Sequence, residues 1–244
     1  MLDPSALALI AVAVFIGSAL NSLMGFGFAL TTVPLMAIAV GPKEAVVLSA
    51  LFGLLSNGGV ALRHRDEAVT PVLRRIVLGA LVGMPIGLAI ILVVPDAVIE
   101  AGIGVVVLAA VVLLARGWVL EDPPPWIDVV AGFGTGLLNT SVGVSGPPVV
   151  TDLTGRGLAK GPFRATLAAV FAINGVVALA LFALTGQIHA DVALAAAVAL
   201  PAWPLGWWVG DVAHHRFPDD RFRGLVLALL AVTGLVTLVG ALRS

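Results

Sequence analysis

The sequence predicts an all-α polytopic membrane protein built from two inverted-topology repeats, each a broken-helix hairpin plus three transmembrane helices. Three observations carry that prediction. The 244 residues are 60% hydrophobic and only 11% charged, with a mean hydropathy of +1.12, more apolar surface than a soluble core can bury. Four landmarks recur in the same order at nearly one offset. Lys and Arg are distributed among the connections so that the two halves face opposite ways. The near-neutral net charge of −1 leaves no basic face for nucleic acid. The absence of cysteine excludes disulfides and thiol chemistry without fixing a compartment.

The first repeat is expected over residues 1–116. Leu7–Ile16 has the apolar character of a signal-peptide core, but the residues before it carry Asp3 and no Lys or Arg. The positive leader region is therefore missing, and the segment is read as mature structure. Ser5–Ala39 as one helix would be about 52 Å long at 1.5 Å per residue. That is too long for one crossing of a ~30 Å core and too short for two. The stretch Asn21-Ser22-Leu23-Met24-Gly25-Phe26-Gly27 interrupts it. Two short helices meeting there as a membrane hairpin resolve the length; one long tilted helix kinked at the glycines is the alternative. Proline near the start of the second arm suits a helical first turn. Three simple spans follow at Ala45–Leu62, Ile76–Val94 and Ala97–Ala115.

Residues 117–126 form a polar, proline-rich linker, and 127–244 repeat the plan. The second broken segment, Trp126–Thr154, is interrupted at Asn139-Thr140-Ser141-Val142-Gly143-Val144-Ser145-Gly146 and followed by Pro147-Pro148. Asn21 recurs 118 residues later as Asn139, and Asn57-Gly58 recurs 117 later as Asn174-Gly175. Met84-Pro85-Ile86-Gly87 recurs 119 later as Trp203-Pro204-Leu205-Gly206, and Pro42-Lys43-Glu44-Ala45 recurs 120 later as Pro162-Phe163-Arg164-Ala165. Three further simple spans are expected, the last at Leu225–Leu242. The connections bearing Arg63, Arg65, Arg74 and Arg75, then Arg116, then Arg156, Lys160 and Arg164, then Arg216, Arg221 and Arg223 are cytoplasmic by the positive-inside rule. Those with Asp96 and Glu100, and Gln187–Asp191, have no Lys or Arg and lie outside; Lys43 is the single exception. The first simple span thus runs inward in one half and outward in the other. A parallel repeat of four spans per half would put Arg156, Lys160 and Arg164 outside, against the rule.

Paired breaks at matching places in two halves point to a transporter binding site. Irregular backbone at membrane depth is tolerated only where it is buried in protein or lines a cavity. A helix N-terminus supplies free N–H groups and partial positive charge, so it can hold an anion without Lys or Arg. The substrate-binding candidates are Asn21, Gly25, Gly27, Thr31, Asn57, Asn139, Thr140, Ser141, Gly143, Ser145, Gly146 and Asn174, all uncharged donors or glycines that admit close approach. Small residues also line membrane helix interfaces, which is the competing role for each singly. For Asn57 and Asn174 that role is an inter-helix hydrogen bond.

These glycine patterns resemble the sulfite exporter TauE/SafE family, within the toluenesulfonate uptake permease superfamily. The resemblance rests on Gly25-Phe26-Gly27-Phe28-Ala29-Leu30-Thr31-Thr32-Val33-Pro34, on Gly132-Phe133-Gly134-Thr135-Gly136 with Gly143-Val144-Ser145-Gly146-Pro147-Pro148, and on the two Asn-Gly pairs. It covers essentially the whole chain. Phe28 departs from the longer glycine run often found there. The resemblance implies a multi-pass permease of the bacterial inner membrane for sulfur-containing anions such as sulfite or organosulfonates, moved by alternating access. Direction varies within the family. A passive anion channel, or a permease for another small organic anion, would use the same chemistry.

Asp152, four residues before Arg156, is a candidate for proton coupling if it lies within the membrane; at the cytoplasmic mouth it would only pair with Arg156 on one helix face. Trp208 is expected at the membrane interface, and Trp203 either there or facing the cavity. His214 and His215 beside Arg216 are read as a solvated loop. No P-loop lysine, HExxH or clustered metal ligands occur, so no cofactor, no metal and no enzymatic activity is expected. The partners are a small anionic substrate and the lipid bilayer, and the oligomeric state stays open.

Overall fold

The computed structural model describes residues 3–116, 121–214 and 231–241, apart from the side chains at 24, 213 and 214. Linker residues 117–120, residues 225–230 of the last expected span, and His215, Arg216, Arg221 and Arg223 lie outside the described residues. The secondary structure described is helical throughout: α1 (Pro4–Met24), α2 (Phe28–Val40), α3 (Pro42–Arg63), α4 (Thr70–Val93), α5 (Asp96–Arg116), α6 (Pro125–Ser141), α7 (Gly146–Gly155), α8 (Lys160–Leu184), α9 (Ala190–Ala199) and α10 (Ala202–His214), then α11 (Ala231–Ala241). Among the described residues five helices are long and apolar enough to cross a membrane: α1, α3, α4, α5 and α8; α9 and α10 together make a sixth.

Both expected breaks occur, each with a local cause. Asp3 caps α1 by accepting from the Ala6 N–H at 2.6 Å. The helix ends where Gly25 turns left-handed at φ 78° and donates to the Asn21 carbonyl at 2.8 Å. Gly27 is also left-handed, at φ 99°, and begins α2. Gly143, at φ 73°, lies in the gap between α6 and α7. The hairpin arms are unequal, however. At 21 residues α1 spans about 31 Å and is long enough to cross by itself, because the helix continues through Asn21 to Met24 instead of stopping at the amide. Proline also differs between the copies. Pro147 and Pro148 occupy the first turn of α7 as expected, whereas Pro34 lies inside α2.

One expected simple span is bent. α9 and α10 meet at 41° across Leu200-Pro201. Pro201 cannot donate to the carbonyl four residues back and its ring crowds that carbonyl. Its counterpart α4 carries Pro85 as its one interior proline and stays unbroken.

Packing pairs the halves reciprocally. α4 lies along α6 at backbone contact: a Cβ on Gly79, Gly83 or Gly87 would strike the carbonyls of Val129, Phe133 or Leu137, and one on Gly132 or Gly136 would strike those of Ile76 or Ala80. These small-xxx-small stripes let the helices approach where lipid gives no hydrophobic drive. In the same sense α10 packs on α1, with Gly206 and Gly210 against the carbonyls of Phe15 and Ala19. The third pairing is α3 on α8, and it is antiparallel. Gly175 meets Leu54, while near the other end the Val69 N–H donates to Thr166 Oγ1 at 2.9 Å.

Charges sort to the two ends of the bundle. At one end Arg75 pairs with Asp128 at 2.5 Å, Arg156 pairs with the same Asp128, and Gly161 abuts Glu67. At the other, Lys43 pairs with Asp96 at 3.0 Å and Glu44 with His189 at 3.6 Å. Lys43, the exception to the charge rule, is thus matched by a carboxylate.

Candidate functional site

The two broken segments converge on one cavity of about 40 Å³, room for roughly three or four waters where one needs roughly 10–15 Å³. Asn21, Gly27, Asn57, Asn139, Gly143, Ser145 and Gly146 line it, so residues 118 apart in sequence share a wall. Ser49, Ala50, Gly53 and Leu54 of α3 and Phe171 and Gly175 of α8 add to it, and no charged side chain among the described residues contributes.

The polar atoms divide into those with protein partners and those without. Thr31 Oγ1 donates to the Gly27 carbonyl at 3.1 Å and Ser141 Oγ to the Leu137 carbonyl at 2.7 Å. Thr140 Oγ1 donates to the Met84 carbonyl at 2.7 Å, tying α6 to α4. Neither Thr31, Thr140 nor Ser141 borders the cavity. The Asn57 amide donates to the Gly53 carbonyl at 2.8 Å within its own helix. Asn139 Nδ2 is different: it is buried, has no hydrogen-bond partner, and belongs to a residue on the cavity wall. Asn174 Nδ2 is likewise buried without a partner, but it is Gly175 next to it that borders the cavity. Gly25 lies at the break without lining it.

Both short helices present their N-termini here. Gly27, Phe28, Ala29 and Leu30 form the cap and first turn of α2 and line the cavity, and neither Gly27 nor Ser145 makes a side-chain cap. A helix leaves its first four N–H groups without intrahelical partners. In α2 all four positions carry one. In α7 the four are Ser145, Gly146, Pro147 and Pro148, and the prolines have none. The α2 terminus thus offers more free N–H donors than the α7 terminus. Phe28, the departure noted in the sequence, is part of the wall, its ring held by Phe52 at a centroid distance of 6.5 Å.

Asp152 is not in this cavity. It lies near the end of α7, buried, with Oδ1 3.5 Å from Arg156 Nε. Arg156 also pairs with Asp128, whose side chain is wholly buried and bridges to Arg75. Two acids and two arginines therefore knit the ends of α4, α6 and α7 together, an arrangement that loss of Asp128, the acid both arginines share, destabilises strongly. Asp128 went unmarked as a partner in the sequence, because nothing there brings it to arginines 53 residues before and 28 after. Trp203 Nε1 donates to Ser56 Oγ at 2.9 Å and does not line the cavity, while Trp208 is exposed, as an interface residue would be.

Over residues 9–237 the sequence matches the family described as sulfite exporter TauE/SafE. The chain belongs to that family. Searches of curated proteins and of solved structures return no match. TauE/SafE membership and the apolar helices make this a multi-pass membrane protein of a transporter family. The TauE/SafE match takes in both breaks and every described residue on the cavity wall.

Proposed function

We propose that this chain is a secondary transporter, a permease for small sulfur-containing anions such as sulfite or organosulfonates, working by alternating access in the bacterial inner membrane. The observation that carries the reading is the Asn139 amide: a buried donor with no protein partner, on a cavity wall that both breaks share. A buried donor left unsatisfied costs about 1–3 kcal/mol, and an oxyanion would satisfy it. The α2 N-terminus supplies further donors without fixed charge, so the anion is bound but not clamped.

The antiparallel α3–α8 pair and the reciprocal α4–α6 and α10–α1 contacts support two inverted repeats, residues 1–116 and 127–244, rocking about this cavity. Proton coupling, if the carrier uses it, falls to Asp152, the buried carboxylate whose pairing with Arg156 is the longest contact in its cluster.

The test is uptake into proteoliposomes across sulfite, thiosulfate, short sulfonates and carboxylates, with and without a pH gradient. Counterflow of a sulfur anion is expected. Uptake of carboxylates alone would defeat the substrate assignment, and electrodiffusive current without counterflow would defeat the carrier in favour of a channel. Loss of gradient-driven accumulation in D152N, with counterflow retained, is the expected signature of coupling.

A further inference from the structure

Arg164 stands apart from the other basic side chains. Among the described residues, the half-buried Lys43, Arg75 and Arg156 each have a carboxylate partner at 27%, 32% and 13% side-chain exposure. The basic residues without one, Arg63, Arg74, Arg116 and Lys160, are exposed. Arg164 is half-buried and has no carboxylate partner among the described residues. Its one hydrogen bond is a long one, from Nη2 to the Ser22 carbonyl at 3.4 Å. A guanidinium carries five N–H donors, so most remain unspent. Burying a charge without a partner is costly, and this position therefore favours a counter-ion.

Its place in the fold says which ion. The side chain lies over Gly25, where a Cβ would sit 3.6 Å from Arg164 Cγ, against the break whose neighbours Asn21 and Gly27 line the cavity. On α8, Phe171 and Gly175 line that cavity. They follow Arg164 by seven and eleven residues, on one helix face. Two turns separate Arg164 from Phe171, about 10 Å along the axis. Among the described residues, the neutral cavity thus has one cation without a carboxylate partner near its basic end.

We propose that Arg164 is the anion-capturing residue at the basic-end mouth of this cavity, holding the substrate's oxyanion through its planar fork before the anion enters the uncharged interior or after it leaves. The proposal rests on the anion-permease reading and adds to it a required ligand chemistry, an anionic head presenting two oxygens to one guanidinium, as sulfite and sulfonates do.

The experiment is thermal stability of the purified full chain in detergent, titrated with sulfite, methanesulfonate and acetate against chloride at matched ionic strength, for wild type, R164Q and R164K. R164Q is expected to weaken the apparent affinity tenfold or more with the unliganded melting temperature held. R164K keeps the charge but loses the fork, so an intermediate affinity is expected. The rival role is a plain cap on the α1 C-terminus, where cations are favoured. It predicts a lower unliganded melting temperature for R164Q and an unchanged anion affinity, and that result overturns the proposal. Should R164Q not purify, an R164K affinity equal to wild type overturns it equally. Weakening by R164Q of acetate binding alone, with no sulfur anion bound by wild type, keeps the capture role and removes the sulfur substrate. If no anion stabilises wild type beyond chloride, both fall.

Discussion

Replacing Asn139 with leucine should move stability and binding in opposite directions. The two side chains have nearly the same shape. Asn139 Nδ2 has no protein partner to lose, so the substitution removes an unsatisfied buried donor worth about 1–3 kcal/mol. A water in the cavity would meet that donor and shrink the relief toward zero. The unliganded melting temperature should therefore stay unchanged or rise, by at most roughly 10 °C at about 2–4 °C per kcal/mol for a chain of this size. Binding changes the other way. A hydrogen bond to a charged group is worth about 1.5–3 kcal/mol, or a loss of roughly 10–150-fold in affinity. At an anion concentration 100 times the wild-type Kd, ligand stabilisation is about 2.7 kcal/mol, and a 100-fold weaker variant keeps only about 0.4 kcal/mol. Differential scanning fluorimetry in detergent, with and without sulfite, reads both quantities in one experiment. A variant that melts several degrees lower yet keeps its sulfite response would refute the argument, because Asn139 would then be a structural amide.

Its neighbour Thr140 should behave in the reverse way. Thr140→Val removes the 2.7 Å bond to the Met84 carbonyl and should cost about 1 kcal/mol with the anion response intact, read by the same fluorimetry. In the α4–α6 seam, Gly83→Leu should abolish a monodisperse peak in size-exclusion chromatography, since its Cβ would meet the Phe133 carbonyl, whereas Gly59→Ala, which meets nothing within 4 Å, should be neutral or stabilising by up to about 1 kcal/mol. Asp128→Ala leaves Arg75 and Arg156 without their shared carboxylate and should cost about 3–5 kcal/mol, a fall in melting temperature of roughly 6 °C or more; adding Arg75→Met should recover part of it.

The breaks were legible because glycine is the residue that takes left-handed backbone without strain, and Gly25, Gly27 and Gly143 all do so. The sorting of charges to two ends was legible because loop charge reports orientation and little else. The bend at Pro201 has no counterpart in the repeat, whose matched prolines are Pro85 and Pro204, so the motif gives no sign of it. Side-chain partnership is where sequence reading stops. Thr31, Thr140, Ser141 and Asn139 are equally polar on paper, yet the first three have backbone acceptors within their own or a neighbouring helix and the fourth does not. Arg164 was read only as a marker of orientation. Its seven-residue spacing to Phe171 puts both on one face of α8, but that spacing means nothing until Phe171 is known to border the cavity.

The repeat's matched positions also show where the halves have diverged. Pro42-Lys43-Glu44-Ala45 and Pro162-Phe163-Arg164-Ala165 start α3 and α8, so Glu44 and Arg164 correspond. Glu44 is held by His189 at 3.6 Å at one end of the bundle, while Arg164 has no carboxylate at the other. The short helices differ in the same direction, because α2 beside Arg164 keeps all four terminal N–H groups and α7 loses two to proline. Both differences concentrate the attraction for an anion on the Arg164 side of the cavity. A carrier with two equal mouths would dwell equally in either orientation. On the carrier reading proposed above, unequal mouths would make the anion a tighter ligand where the bundle exposes Arg164, and would bias the loaded protein toward that orientation by whatever differential affinity the arginine and the α2 terminus supply.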